Sequence, residues 1–227
     1  MTNGLHQAGA EIYSNIPINL YGFLFIRHFS EGFLVLPARY ASTCYIIPSF
    51  TVSTSNTICQ SLFALSSVFS NTVIEINLKM KEGSISYDNI QYANNQTLSL
   101  VLNKYTTFQI WHSSDLTGTK IIASKPIVVV SGNRCNYINN KASCQPFIEM
   151  VLPTNQLDNV YVIPYLNYRY ENTIRLLAVN DTHIALKNGN NRTRHVLKSR
   201  DFMDYFHTTI SYVSSESDLM VHIYTRA

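Results

Sequence analysis

The chain repeats itself, and the length of the repeat restricts the fold. Leu36-Pro37 followed by Tyr45-Ile46-Ile47-Pro48 returns 116 positions later as Leu152-Pro153 followed by Tyr161-Val162-Ile163-Pro164. Asn56-Thr57-Ile58 returns at the same offset as Asn172-Thr173-Ile174. Pro17-Ile18-Asn19-Leu20-Tyr21-Gly22 is answered by Pro126 to Gly132, and Asp218 to Tyr224 closes the chain as a fainter third copy. Solenoid periods run about 20 to 50 residues, so a repeat of this length marks two small domains in tandem. The expected division is 1–118 and 119–227, with the join between about Asp115 and Lys125.

Each half reads as strands. Short β-branched and aromatic runs are bounded by Asn, Ser, Gly or Pro. In Thr72 to Leu78, Val73, Glu75 and Asn77 face one side while Ile74, Ile76 and Leu78 face the other, as in a half-buried antiparallel strand. Ile58 to Leu65 and Thr72 to Leu78 read as a hairpin pair. In the second half Asn188-Gly189 is a strong hairpin signal, because both positions accept positive φ; Lys81-Glu82-Gly83 is its counterpart. Only Ser199 to His207 admits a helix, with Ser199 as cap, although its partner stretch reads as strand. The expected fold is all-β: two tandem, internally repeated antiparallel β-sandwich units.

Composition removes several function classes. The chain is 46% hydrophobic and 14% charged, against about 25% charged in typical domains, which excludes disorder. A net charge of +3 does not make a nucleic-acid surface. No run reaches the roughly 18 apolar residues that span a bilayer, so no membrane insertion is expected. No H-E-x-x-H or similar metal spacing occurs among the seven histidines; His183 and His195 flank the Asn188-Gly189 turn without a third ligand near. Asp201/Asp204 and Glu216/Asp218 are the nearest carboxylate pairs, which any surface offers. No cofactor is implied, and no sequence feature argues for catalysis.

Three sequons, at Asn95, Asn180 and Asn191, join four cysteines in favouring secretion. The signal peptide would then lie outside this fragment. Four cysteines allow three pairings; locality favours Cys44–Cys59 and Cys135–Cys144. The span from Ile58 to Thr72 exceeds that from Ile174 to Thr182 by six positions. The surplus is expected in Ser66 to Asn71, which makes Phe69 at its tip a candidate partner contact.

Asp115-Leu116-Thr117-Gly118-Thr119, then Ile122-Ala123-Ser124-Lys125-Pro126-Ile127-Val128-Val129-Val130-Ser131-Gly132, then Cys135, Cys144 and Glu149-Met150-Val151-Leu152-Pro153, resemble the N-terminal domain of the IgG Fc-binding protein family. Pro17 to Gly22 and Gly32 to Pro37 extend the resemblance, which covers roughly residues 11 to 186. It departs at Gln145, where the family tends to have Asp, and at Tyr40-Ala41 and Leu157-Asp158, where it tends to have Leu-Gly. The resemblance implies an extracellular, non-catalytic adhesion or matrix module of mucus type, part of a larger multidomain chain. It implies protein or glycan partners and transfers no ligand residue. A carbohydrate-binding or carbohydrate-active domain stays open as the rival, on tyrosines such as Tyr165, Tyr168 and Tyr170 that can stack sugars.

Overall fold

Alternation decides which residues become the interior. The computed structural model describes residues 3–26, 29–50, 60–136, 145–166 and 172–225. They fold into two compact units that divide at Asn155/Gln156.

The first unit contains β1 (Gly4–Gln7), β2 (Leu20–Ile26), β3 (Phe29–Val35), β4 (Ser42–Ile46), β5 (Ser61–Ser67) and β6 (Thr72–Asn77). It continues with β7 (Ile85–Tyr87), β8 (Ile90–Tyr92), β9 (Thr97–Leu102), β10 (Thr106–His112), β11 (Lys120–Asn136) and β12 (Gln145–Met150). β11 organises it. Its first half pairs with β4 and β6, its second with β5 and β12. Pro126, which cannot donate to a ladder, stands between the two halves. β10 and β1 extend the sheet beyond β5, and β9 extends it beyond β6. Every second residue of β5 and β6 points inward, so Phe63, Leu65, Ile74 and Ile76 are all but inaccessible. Burying each such side chain is worth about 1.5–3 kcal/mol.

The second unit repeats this plan with β13 (Asp158–Ile163), β14 (Asn172–Ala178), β15 (Thr182–Asn188), β16 (Asn191–Leu197), β17 (Phe202–His207) and β18 (Ser211–Tyr224). The first half of β18 pairs with β13 and β15 and the second with β14. β16 flanks β15, and β17 flanks β14. Thus β4, β5, β6, β9, β10 and β11 correspond in order to β13, β14, β15, β16, β17 and β18. Ile163, Ile174, Leu176, Ile184, Val213 and Leu219 lie in one buried cluster. The fold is all-β in two sandwich-like units, as the repeat predicts.

The correspondence extends to single hydrogen bonds. A short 3-10 turn follows each Leu-Pro, at Ala38–Tyr40 and Thr154–Gln156. The Tyr45 hydroxyl donates to the Ile127 carbonyl at 2.7 Å and accepts from the Ser42 amide at 3.0 Å. The Tyr161 hydroxyl donates to the Leu219 carbonyl at 2.7 Å and accepts from the Asp158 amide at 3.0 Å. Burial raises the pKa of both phenols, that of Tyr45 to about 12. In the turns leading to β10 and β17, Tyr105 (φ 66) and Arg200 (φ 69) both take left-handed backbone. Their amides donate to the carbonyls of Ser67 and Ala178. Tyr45→Phe and Tyr161→Phe are each expected to lose about 1–2 kcal/mol in urea melts. The two losses should agree, since the hydroxyls do the same work; a large difference would break the equivalence.

Four expectations change. The two units divide at Asn155/Gln156, beyond the Gly118/Thr119 division, because β11 is the last long strand of the first unit and not an opening strand of the second. β5 and β6 do not pair with each other: each pairs with β11, at opposite ends. Ser199 to His207 holds strand β17 and no helix, since β14 supplies a ladder along its length. The repeat also carries an insertion unseen in the sequence. The β7–β8 hairpin turns at Asp88 and Asn89, both at positive φ, between β6 and β9. Its counterparts β15 and β16 are joined by a tight turn with Gly189 at φ 59.

Candidate interaction surface

The β5–β6 turn is pinned by hydroxyls. Ser67 and Thr72 end and begin strands that face the core, so both side chains are buried, and a buried hydroxyl must find partners. They find them in the turn. Ser67 Oγ donates to the Phe69 carbonyl at 2.6 Å and accepts from the Phe69 amide at 3.1 Å, and Thr72 Oγ1 donates to the same carbonyl at 2.9 Å. The Lys125 ammonium donates to the Ser70 carbonyl at 2.7 Å. The backbone is thereby held from both sides while the Phe69 side chain stays 48% exposed.

The length argument that singled out Phe69 places the surplus elsewhere. Ser67 and Ala178 sit opposite Ile127 and Leu219 in the two long strands, which makes Phe63, not Ile58, the counterpart of Ile174. The β5–β6 connection is then only one residue longer than its β14–β15 counterpart. The rest of the surplus precedes β5, between Pro48 and Phe63. The matching turn of the second unit is polar instead. Asp181 accepts from Lys198 Nζ at 2.9 Å and from the Ser199 amide at 2.8 Å. Those two donors hold its carboxyl below the usual range.

Asn95, Asn180 and Asn191 are all exposed. Asn95 takes positive φ (64) in the turn before β9, Asn180 lies in the turn after β14, and Asn191 opens β16. The cysteines require a correction. Cys44 is a free thiol, so the expected Cys44–Cys59 bridge is not formed. Cys44 pairs with Ile122 at one end of β11, while β5 begins opposite Asn133 at the other. Those positions are about 35 Å apart along an extended strand. Strands consecutive in sequence are here remote in space. Cys135 is buried and disulfide-bonded; Cys59 and Cys144 lie outside the described residues.

The reactive side chains do not converge. His183 and His195 point to opposite faces, because His183 pairs with Val196 and His195 with Ile184. His183 Nδ1 lies 2.8 Å from Glu216, and His195 Nε2 bonds Thr193. Asp204 is engaged by Arg175. Tyr165 packs at a tilt against His207; Tyr168 and Tyr170 lie outside the described residues. Among the described residues no three or more His, Cys, Asp or Glu come together to hold a metal. No described helix is long and apolar enough to cross a membrane. The dimple lined by Leu36, Tyr40, Val128 and Met150 offers about one water's room.

Sequence reasoning missed Arg175, which is buried although it stands mid-strand in β14. Its signal was present: one cation inside the run Ile174-Arg175-Leu176-Leu177-Ala178.

Two like antiparallel units, each built on one long strand, define a class: a tandem β-sandwich module. The chain belongs to the IgGFc-binding protein family, whose model, described as IgGFc binding protein, matches residues 31–227. The match thus continues past residue 186 through the whole second unit. The chain is also similar to the IgGFc-binding protein of Homo sapiens, 25% identical over 162 residues, covering 71% of this chain. It spans only 3% of that relative's length. No solved structure matches. The family is named for binding and not for a reaction.

Proposed function

We propose that this chain is a non-catalytic, extracellular binding module of a longer adhesive or mucus-type protein, presenting turns to a protein or glycan partner. Family membership supports the binding role. The observation that carries the proposed contact is Phe69, half-exposed on a turn that its own hydroxyl network holds rigid. An aromatic residue on a pre-ordered backbone has less freedom to lose on binding, and aromatic residues dominate interface hot spots. The matching turn of the second unit carries the Asn180 sequon, so a glycan there would leave the Phe69 turn as the barer surface.

The test is surface plasmon resonance against immobilised IgG Fc fragment and against mucin glycoprotein. Phe69→Ala is expected to weaken the interaction by about 1–2 kcal/mol with the melting temperature nearly unchanged. Normal binding combined with earlier melting would place Phe69 in the core and end the proposal.

Secretion carries two further expectations. Asn95, Asn180 and Asn191 bear glycans when the chain passes through a eukaryotic secretory pathway, read as a mass shift on enzymatic deglycosylation. Cys135 pairs with Cys144, read by non-reducing peptide mapping; a Cys59–Cys135 peptide in its place would overturn that pairing.

A further inference from the structure

Three cations share one exposed sheet face of the second unit. Alternation along β15 and β16 turns Leu186 inward and leaves Lys187, Arg192 and Arg194 exposed on the other side. Lys187 and Arg192 stand directly opposite in the ladder, about 5 Å apart at the backbone, and Arg194 lies about 7 Å further along its strand. Among the described residues none of the three forms an ion pair; Glu216 is engaged by His183 and Asp181 by Lys198. Like charges placed directly opposite destabilise a sheet.

The internal repeat shows that the fold does not need them. Tyr45 pairs with Ile121 and Tyr161 with Val213. From there the ladders align Ile76 with Leu186 and Leu98 with Thr193. Asn77, Thr97 and Ser99 therefore hold in the first unit the places of Lys187, Arg192 and Arg194. Asn77 faces Thr97 as Lys187 faces Arg192, and there Asn77 Nδ2 donates to Thr97 Oγ1 at 3.0 Å. Glu75 corresponds to Ala185 by the same alignment. The second unit thus has a repelling pair where the first has a hydrogen bond, and it lacks the carboxylate that would offset the charge. Charged side chains do protect exposed edges. Yet β9 is an edge strand as β16 is and carries no charge, and Lys187 is not on an edge.

The charges continue into an apolar row. By register Arg192, Lys187, Tyr212 and Val162 lie side by side across β16, β15, β18 and β13, with Tyr212 44% and Val162 64% exposed. We propose that this face binds a sulfated glycan chain laid across the strands, its sulfates on Arg192, Arg194 and Lys187 and a sugar ring on Tyr212. A planar guanidinium meets an oxyanion through two parallel hydrogen bonds, and the tyrosine ring offers an apolar surface ending in a hydroxyl. An acidic peptide would instead add to the open edge of β16, leaving Lys187 and Tyr212, one and two strands in, unused. A single-stranded nucleic acid takes a basic groove with successive aromatic platforms, whereas this row holds one ring. Asn191 projects from the opposite side of β16 to Arg192, so a glycan there leaves the patch clear. The site is separate from the Phe69 turn, and either can fail without the other.

Isothermal titration calorimetry of the intact chain with a size-defined heparin oligosaccharide tests this, at low and at physiological salt. The wild type is expected to bind, more weakly at the higher salt. Lys187→Asn, Arg192→Thr and Arg194→Ser each bring in the residue of the first unit. They are expected to weaken binding about fivefold singly and to abolish it together, with the melting temperature unchanged or raised. Tyr212→Ala is expected to weaken it as well. Lys198→Ala, which removes the same charge from the Asp181 pair, is expected to leave the affinity unchanged. A wild type that does not bind overturns the proposal, as does a triple variant that binds undiminished. Equal affinity for poly-glutamate or a single-stranded oligonucleotide, with Tyr212→Ala without effect, would overturn the glycan assignment.

Discussion

Replacing Asp204 with alanine is expected to destabilise the second unit by about 3–5 kcal/mol, more than removing Arg175 with its volume kept. Arg175 is 3% exposed. Its Nε and Nη2 donate to the two Asp204 carboxylate oxygens at 2.8 Å each, and its guanidinium carbon lies 3.7 Å from the Phe202 ring centre. The pair is lopsided: side-chain exposure is 4% for the arginine and 33% for the aspartate. Asp204→Ala removes the carboxylate that meets the Arg175 guanidinium where water does not reach. Arg175→Met leaves a carboxylate that water does reach and fills the space with apolar atoms, and exchanging a buried ion for packed hydrophobic volume is often close to neutral. Its expected loss is about 1–2 kcal/mol. Urea titrations followed by circular dichroism measure both. Equal losses would show that desolvation of Arg175 does not control the pair.

The same arginine shows where sequence reading stops. Strand alternation and the 116-residue echo were enough for an all-β fold in two like units, because the echoed residues do identical structural work. Tyr45 and Tyr161 make the same two hydrogen bonds, and both Leu-Pro steps lead into the same short turn. Pairing partners were less legible. A strand's pattern tells which side faces the core but not which neighbour it joins, so β5 and β6 read as a hairpin although β11 separates them. The unit boundary was misplaced for a related reason. The echo repeats wherever counting begins, and only the pairing of β11 with β4, β5 and β6 shows that it closes a unit. The Cys44 pairing failed on the same assumption, that neighbours in sequence are neighbours in space. Phe69 was legible as an exposed aromatic tip, but its support was not, because Ser67 and Thr72 look like ordinary turn residues until both are found buried.

Acid is expected to weaken the second unit through His222, before any carboxylate is considered. His222 pairs with Arg175 across β14 and β18, and its ring stacks on Tyr224 at 6.2 Å. Burial first, and the neighbouring Arg175 charge second, push its pKa down to about 4, against about 6.5 in an unfolded chain. Between those values the unfolded state binds the proton and the folded state refuses it, so stability rises with pH across that window. The contribution is complete above about pH 6.5 and is lost as the pH falls towards 4. A shift of this size corresponds to roughly 3 kcal/mol at most. The residue is half-buried by its exposed surface, and solvent screening lowers the expected figure to about 2 kcal/mol. Other groups titrate in the same range, so the quantity to measure is the difference between wild type and His222→Gln in urea stability at pH 4.5 and pH 7.5. The variant should lose about 2 kcal/mol less than the wild type between those two values. Arg175→Met should narrow that gap by removing the repelling charge, whereas identical pH slopes in wild type and His222→Gln would mean that the ring is as free to protonate in the fold as in the open chain.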